Sequence, residues 1–321
     1  MSLEDFLIEW ENDSPYVEVK TSGSTGEPKR MMVEKQRMLN SARITCDFLG
    51  LKEGDTALLC MSLDYIAGKM MVVRAIERGL KLISVEPSGH PLASLASPLS
   101  FAAMVPMQVY NSLQVPEERE RLMKIGHLII GGGAIDEAME KELKTFPNAV
   151  WSTYGMTETL SHIALRRVSG PNASEWYTPF ASVCLSKTSS GCLIIDAHEV
   201  CSETLVTNDI VELSTNGSFR ILGRKDNVIC SGGIKIQMEE VEQLLKPFLR
   251  VPYLISKRKD EKFGEIAVLL SEGDIDDARD ICERYLPKYY IPRAYLHVDN
   301  IPLTETGKPA RKRAEKLASA S

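Results

Sequence analysis

Nine residues, Thr21-Ser22-Gly23-Ser24-Thr25-Gly26-Glu27-Pro28-Lys29, gather four hydroxyl side chains, two glycines and a lysine. Glycine lets backbone N–H groups converge on an anion, and serine and threonine hydroxyls add donors. Lys29 adds a positive charge. The chemistry is a grip on polyphosphate. The stretch is not a Walker A loop, which needs Gly-Lys-Ser/Thr after a four-residue gap from its first glycine. Composition by itself leaves a flexible Gly/Ser linker open. Two later stretches attract the same interest: Gly131-Gly132-Gly133-Ala134 and Tyr154-Gly155-Met156-Thr157-Glu158-Thr159.

The elements around these stretches say where they sit. Residues 16–20 read as a strand leading into the first. Residues 34–49 read as a helix, with Met38, Ala42, Cys46 and Leu49 at helical spacing and Gly50 as the stop. Strands are expected at 55–61, 81–85, 101–105, 127–130 and 149–153. Helices are expected at 66–78, from Met107, and at 136–146 with Asp136 as N-cap. Strands alternating with helices imply a parallel sheet covered on both faces. In such sheets ligands bind beyond the carboxyl ends of strands. The glycine triplet and the Tyr154–Thr159 loop each follow a strand, so each lies where a site belongs.

From about Ser169 the pattern changes to short strands at 191–196, 203–206, 209–213 and 219–222, with Asn216-Gly217 as a hairpin turn. After Gly223-Arg224-Lys225-Asp226 the chain starts afresh. A glycine-rich hairpin (228–236) precedes a helix (238–245), strands (253–256 and 266–270), a helix (275–285), a strand (294–298) and a polar, basic tail (302–321). The expectation is an α/β protein built on a doubly wound sheet. Residues 1–223 form the large domain, with a β-rich subdomain at about 169–223, and 224–321 form a smaller α+β C-terminal domain.

The chain has 321 residues, room for two domains. A formal net charge of −6 argues against a nucleic-acid binder with a dominant basic surface. Seven scattered cysteines, an odd number with no Cys-x-x-Cys pair, read as reduced thiols in the cytoplasm. The acidic N-terminus lacks the basic and apolar regions of a signal peptide. No apolar run approaches the ~20 residues of a membrane helix, so no membrane insertion is expected.

Thr21–Lys29 resembles the signature loop of the adenylate-forming, AMP-binding superfamily of acyl-CoA synthetases, luciferases and peptide-synthetase adenylation domains. Arg30 stands where that loop ends in glycine. Further matches recur in order as far as Arg311. Tyr154–Thr159 is similar to the family's second signature. The resemblance implies that Thr157 meets the α-phosphate, Glu158 holds Mg²⁺ and Tyr154 borders the adenine; a hard carboxylate oxygen beside phosphates suits Mg²⁺. Gly131 to Ala134 resembles a segment lining the acyl and adenine pocket, and a plain turn before a helix fits it equally. Thr207-Asn208-Asp209 resembles Thr-Gly-Asp, whose aspartate binds both ribose hydroxyls, with Asn208 replacing the glycine. Gly223–Asp226 resembles Gly-Arg-x-Asp, implying Arg224 at the ribose and Asp226 as a hinge. Gly232 and Gly233 fall in the place of a hairpin lining the pantetheine tunnel. Thr304 to Pro309 resembles the Gly-Lys loop with its catalytic Lys308. Tyr65 occupies the place of an acyl-pocket aromatic, and a core tyrosine fits equally; His162 is placed at the same pocket.

The implied chemistry has two steps. A small-molecule carboxylate attacks the ATP α-phosphate, giving acyl-adenylate and pyrophosphate, and the thiol of CoA then releases AMP. ATP, Mg²⁺ and CoA are therefore the implied cofactor and co-substrates, and the C-terminal domain is implied to swing between steps. The run 153–167 is most similar to o-succinylbenzoate–CoA ligases of menaquinone biosynthesis. Another aryl- or acyl-CoA ligase is the alternative. A nucleotide-binding remnant without catalysis is a second alternative, against which Glu158 and Lys308 both speak. Twenty residues precede Thr21, where family members usually carry a long N-terminal subdomain. The acyl-pocket wall and any dimer surface are expected to differ accordingly, and a homo-oligomer is left open.

Lys308 separates enzyme from remnant. Loss of one preorganised charge at a transition state costs on the order of 10²–10³ in rate. Lys308→Ala is therefore expected to lose adenylate formation by that factor while retaining CoA transfer from a preformed acyl-adenylate. Assays of both half-reactions on the same variant check this, and equal loss of the two contradicts it.

Overall fold

The structure is a computed structural model and describes residues 1–20, 30–95, 97–304 and 309–320. Helix α1 (Leu3–Glu11) opens the chain on a capping box: the Asp5 N–H donates to Ser2 Oγ, and the Ser2 N–H donates to the Asp5 carboxylate. Strands β1 (Tyr16–Lys20) and β2 (Arg30–Glu34) pair antiparallel, with Lys20 opposite Arg30. Helices α2 (Lys35–Leu49) and α3 (Ile66–Arg78) each stop on a left-handed glycine, Gly50 at φ 67° and Gly79 at φ 65°.

Around α3 the chain lays down β3 (Thr56–Leu59), β4 (Lys81–Ser84), β5 (Phe101–Met104), α4 (Pro106–Gln114), α5 (Pro116–Met123), β6 (His127–Ile130) and α6 (Glu137–Leu143). Strands β7 (Ala149–Gly155), β8 (His162–Arg167) and β9 (Thr178–Pro179) follow. These strands form one sheet in the order β4-β3-β5-β6-β7-β8-β9; β4 to β7 are parallel, and β8 and β9 run antiparallel. The parallel strands are short apolar runs, as expected of a sheet buried on both faces. Leu58, Ala102, Met104, Leu128, Ile130 and Val150 make a core with Val109, Leu113, Met139, Leu143 and Phe146 from the α4–α6 segment.

A four-stranded sheet, β10 (Cys184–Lys187), β11 (Cys192–Asp196), β12 (Leu205–Leu213) and β13 (Phe219–Arg224), follows in sequential order. The remaining chain forms β14 (Val228–Ser231), β15 (Ile234–Gln237), α7 (Met238–Leu245), β16 (Tyr253–Asp260), β17 (Gly264–Ser271), α8 (Ile275–Tyr285), β18 (Ala294–His297) and α9 (Arg311–Ser319). Its sheet runs β15-β14-β17-β16, with β18 parallel to β17. Ala267 and Leu269 of β17 pack with Val241, Leu245, Ala278 and Cys282 of α7 and α8. Their neighbours Ile266, Val268 and Leu270 pack with Ala314 and Ala318 of α9. The two-residue period of a strand thus feeds two cores. By compactness the chain divides into two units: Met1–Ser186 with Ile194–Leu205 and Leu213–Arg220, and Lys187–Leu193 with Val206–Glu212 and Ile221–Ser321.

The architecture is the expected α/β class: a largely parallel sheet, a β-rich segment and a smaller α+β sheet. Two details differ. Residues 203–206 and 209–213, read as two strands, form the single strand β12, because Thr207 is buried and Asn208 exposed in strand alternation. The basic tail carries α9, whose buried stripe is only alanine and so gives a weak apolar signal. All seven cysteines are free, with Cys184 and Cys230 exposed. Among the described residues no helix is long and apolar enough to cross a membrane.

Leu128, fully buried on central β6, and the exposed Lys124–Glu120 pair give opposite expectations. Leu128→Ala should cost about 2–5 kcal/mol through the cavity it leaves. Lys124→Ala should cost less than about 1 kcal/mol. Urea titration of both variants checks the contrast, and equal losses contradict it.

Candidate active site

Strands β6 and β7 are parallel neighbours with Ile130 opposite Ser152, so their carboxyl ends lie side by side. Gly131 therefore meets Thr153: a Cβ on Gly131 would stand 2.4 Å from Thr153 Oγ1. Gly132 takes φ 79°, a conformation glycine adopts without strain. From the adjacent strand end, Gly155 opens a turn into β8 through a bulge at Tyr154/Gly155. A Cβ on Gly155 would stand 2.2 Å from the Ser161 carbonyl oxygen and 2.5 Å from His162 Cα, so only glycine fits.

Residues Thr157–Thr159 form one 3-10 turn. The buried Thr159 hydroxyl accepts from the Met156 N–H at 3.1 Å and lies within bonding distance of the carbonyls of Met156 (3.0 Å) and Ser161 (2.8 Å). Leu160 follows at φ 64°, the one non-glycine residue with positive φ among those described; such strain persists only where surroundings over-determine it. Thr157 is half-buried and Glu158 exposed. Among the described residues Glu158 has no hydrogen-bond or ion-pair partner. Tyr154 is buried, its ring edge-on to Phe219 at 5.0 Å and to Tyr177 at 6.0 Å.

His162, expected at the acyl pocket, has both ring nitrogens engaged inside the protein. Nε2 lies 3.2 Å from Thr45 Oγ1 and Nδ1 3.2 Å from Ser161 Oγ. Burial, and then the charge of Arg74, hold its pKa well below 6.5, so the imidazole is neutral. Arg74 is a residue that the sequence reading missed. It is fully buried on α3 and donates to Ser161 Oγ at 2.6 Å, while its Nε has no partner. Burial pushes its pKa down to about 10, so the guanidinium stays charged at neutral pH. The available signal was one arginine inside the apolar run Met70 to Ala75. Tyr65 stands at the N-cap of α3, about one-third exposed, in a parallel bridge with Lys20. It therefore lies beside the end of β1, where Thr21 begins. Thr21 to Lys29 and Lys308 lie outside the described residues.

In the second compact unit, β12 and β13 are neighbours and bring Asp209 to Arg224. Arg224 Nη1 donates to Asp209 Oδ1 at 2.8 Å and Nη2 to Asp226 Oδ2 at 3.1 Å. Asn208 Nδ2 also reaches Asp226, at 3.2 Å and 3.1 Å from its two oxygens. Gly232 and Gly233, at φ 57° and 85°, form the two-residue turn of the β14–β15 hairpin, a turn requiring positive φ at both positions. Clefts of about 340 Å³ at Phe248 and Tyr285, and about 400 Å³ at Trp151 and Trp176, contain none of these candidate residues.

No group of three or more His, Cys, Asp or Glu able to cage a metal occurs among the described residues. One exposed carboxylate, Glu158, without a partner among the described residues, fits Mg²⁺ all the same, because Mg²⁺ is usually held by one or two carboxylates plus substrate phosphates.

Glycine-lined strand ends on a parallel sheet, the threonine–glutamate turn that follows β7 and a separate aspartate–arginine pair are the parts of the candidate site. The chain belongs to the AMP-binding enzyme family, whose model matches residues 7–199. The 2-succinylbenzoate–CoA ligase of Listeria monocytogenes serotype 4b (strain F2365) is 25% identical over 330 residues, 93% of this chain and 69% of that one. Among solved structures, the acyl-CoA synthetase (AMP-forming)/AMP-acid ligase II-like protein of Dyadobacter fermentans DSM 18053 is 32% identical with a TM-score of 0.67, over 98% of this chain and 92% of that one. The o-succinylbenzoate coenzyme A synthetase of Bacillus subtilis, in complex with ATP and magnesium ion, shares the fold at 22% identity and a TM-score of 0.73, over 92% of this chain and 69% of that one. The enzyme class is that of the AMP-forming acid–thiol ligases, the acyl-CoA synthetases.

His162 makes stability depend on pH. Its folded pKa is depressed, so between 6.5 and that value the unfolded chain binds more protons and stability falls as pH falls. Thermal midpoints should drop below pH 6.5 in the wild type and less steeply in His162→Asn. Parallel pH profiles for the two proteins contradict this.

Proposed function

We propose that the chain joins a carboxylic acid to coenzyme A through an acyl-adenylate, and that the acid is o-succinylbenzoate. The observation that carries the reading is the placement of Gly131–Gly133 and of Thr157–Glu158 on adjoining carboxyl ends of β6 and β7 in a chain of this family. The resemblance of residues 153–167 and the curated 2-succinylbenzoate–CoA ligases support the substrate.

In this reading Thr21 to Lys29 bind the leaving pyrophosphate, Thr157 donates to the α-phosphate, and Gly131 to Ala134 let flat groups lie against the backbone. Tyr154 closes the adenine side from within its aromatic cluster. Asp209, oriented by Arg224, accepts from the ribose hydroxyls. Glu158 would hold the Mg²⁺ that accompanies ATP, which when bound supplies positive charge at the phosphates. Lys308 offsets charge where the carboxylate oxygen approaches the α-phosphorus, in a site where a preorganised charge acts strongly. Residues 224–321 then turn about Asp226 and present Gly232 and Gly233 to the pantetheine arm. Tyr65 borders the acyl group. The reaction belongs in the cytoplasm, where ATP and CoA are supplied.

The test is AMP release dependent on both ATP and CoA. o-Succinylbenzoate should support it, with medium-chain fatty acids far poorer substrates. Equal turnover of octanoate and o-succinylbenzoate would remove the substrate assignment and leave a broader acyl-CoA ligase.

A further inference from the structure

Asn208 replaces a glycine of the family motif, and its side chain is bonded. The Asn208 amide donates toward both oxygens of Asp226, at 3.2 and 3.1 Å, across eighteen residues of sequence. The same carboxylate accepts from Arg224 Nη2 at 3.1 Å, and Arg224 Nη1 holds Asp209 at 2.8 Å. Asp226 lies in the 3-10 turn Lys225–Asn227, closed by the Val228 N–H donating to the Lys225 carbonyl. A glycine at 208 would offer no side-chain donor. We infer that Asn208 is a positioning residue that clasps the Asp226 carboxylate and so restrains the backbone rotation of the 225–228 turn. The inference rests on the reading of Asp226 as the hinge of the two-step reaction.

The physical argument is local. Rotation about φ at Asp226 swings its Cβ and carboxylate away from the position fixed by β12 and β13. Asn208 is on β12 and Arg224 ends β13, so neither can follow without disrupting a sheet. A rotation about φ therefore strains both contacts, and it is this rotation that the clasp restrains. Asp226 keeps about half of its side chain exposed, so water replaces part of what is lost. The restraint is modest and suits a step that must occur on every turnover. Asn208 is the residue beside Asp209, so the strand proposed to read the ribose also holds the turn.

Two readouts test this, one of which needs no turnover. Hydrogen–deuterium exchange of residues 225–228 should rise about fivefold in Asn208→Ala, the size expected for an exposed polar contact to a charge. It should rise further in Asn208→Asp, where two carboxylates face each other. Exchange in β16 and β17 and the melting temperature should stay at wild-type values. On the same proteins, the ratio of thioester formation from preformed o-succinylbenzoyl-adenylate to adenylate formation should shift by a similar factor. Wild-type exchange at 225–228 in Asn208→Ala overturns the clasp, and so does an increase spread equally over β16 and β17. Faster exchange with an unchanged ratio overturns its role in the reaction. The exchange result stands on its own even if the wild type activates no carboxylate, so failure of the clasp and failure of the proposed activity are distinguishable.

Discussion

The turn from β7 into β8 depends on Gly155 having no side chain. Any Cβ there would lie inside the van der Waals contact of the Ser161 carbonyl and of His162, both backbone atoms that cannot yield separately. That close approach lets β8 return antiparallel directly beside β7, with a single bulge at the crossing. The intervening residues have little choice left. The Thr159 hydroxyl fastens the turn from inside, Leu160 is driven to positive φ, and the buried Arg74 donates to Ser161 from α3. Thr157 and Glu158 lie on this turn, Thr157 half-buried and Glu158 exposed.

The same logic applies one strand away. Gly131 leaves room for the Thr153 hydroxyl where a Cβ would collide with it, so the ends of β6 and β7 approach closely. In the other compact unit, positioning is electrostatic instead. One guanidinium bridges two carboxylates that β12 and the turn after β13 would otherwise leave to repel each other. Asn208 adds a neutral donor to the second carboxylate, where another cation would bind more tightly and move less readily.

Much of the parallel sheet was legible because strands and helices alternate and the strands are continuous apolar runs. Residues 127–130, 238–245 and 275–285 were read with the bounds the structure gives them. Strand β8 was not foreseen, since it starts immediately after a polar turn with no intervening breaker. In β12, Thr207-Asn208-Asp209 has the composition of a turn, yet it runs extended in a strand flanked by β11 and β13. Helix α9 hides its buried stripe behind arginine and lysine, its buried residues being the two alanines Ala314 and Ala318. Arg74 was concealed differently: one charge in an apolar helix gives no hint that it serves a loop 87 residues away. The contact between Asn208 and Asp226 is likewise a product of tertiary register, which local pattern cannot report.

The central claim is that a carboxylate oxygen of the substrate becomes bonded to the α-phosphorus of ATP. Labelling both carboxylate oxygens with ¹⁸O and analysing the nucleotide product by mass spectrometry tests this most directly. With o-succinylbenzoate, ATP and CoA, the account predicts AMP carrying one ¹⁸O per thioester formed and unlabelled pyrophosphate. Unlabelled AMP, or label in a phosphate released with ADP, would contradict it.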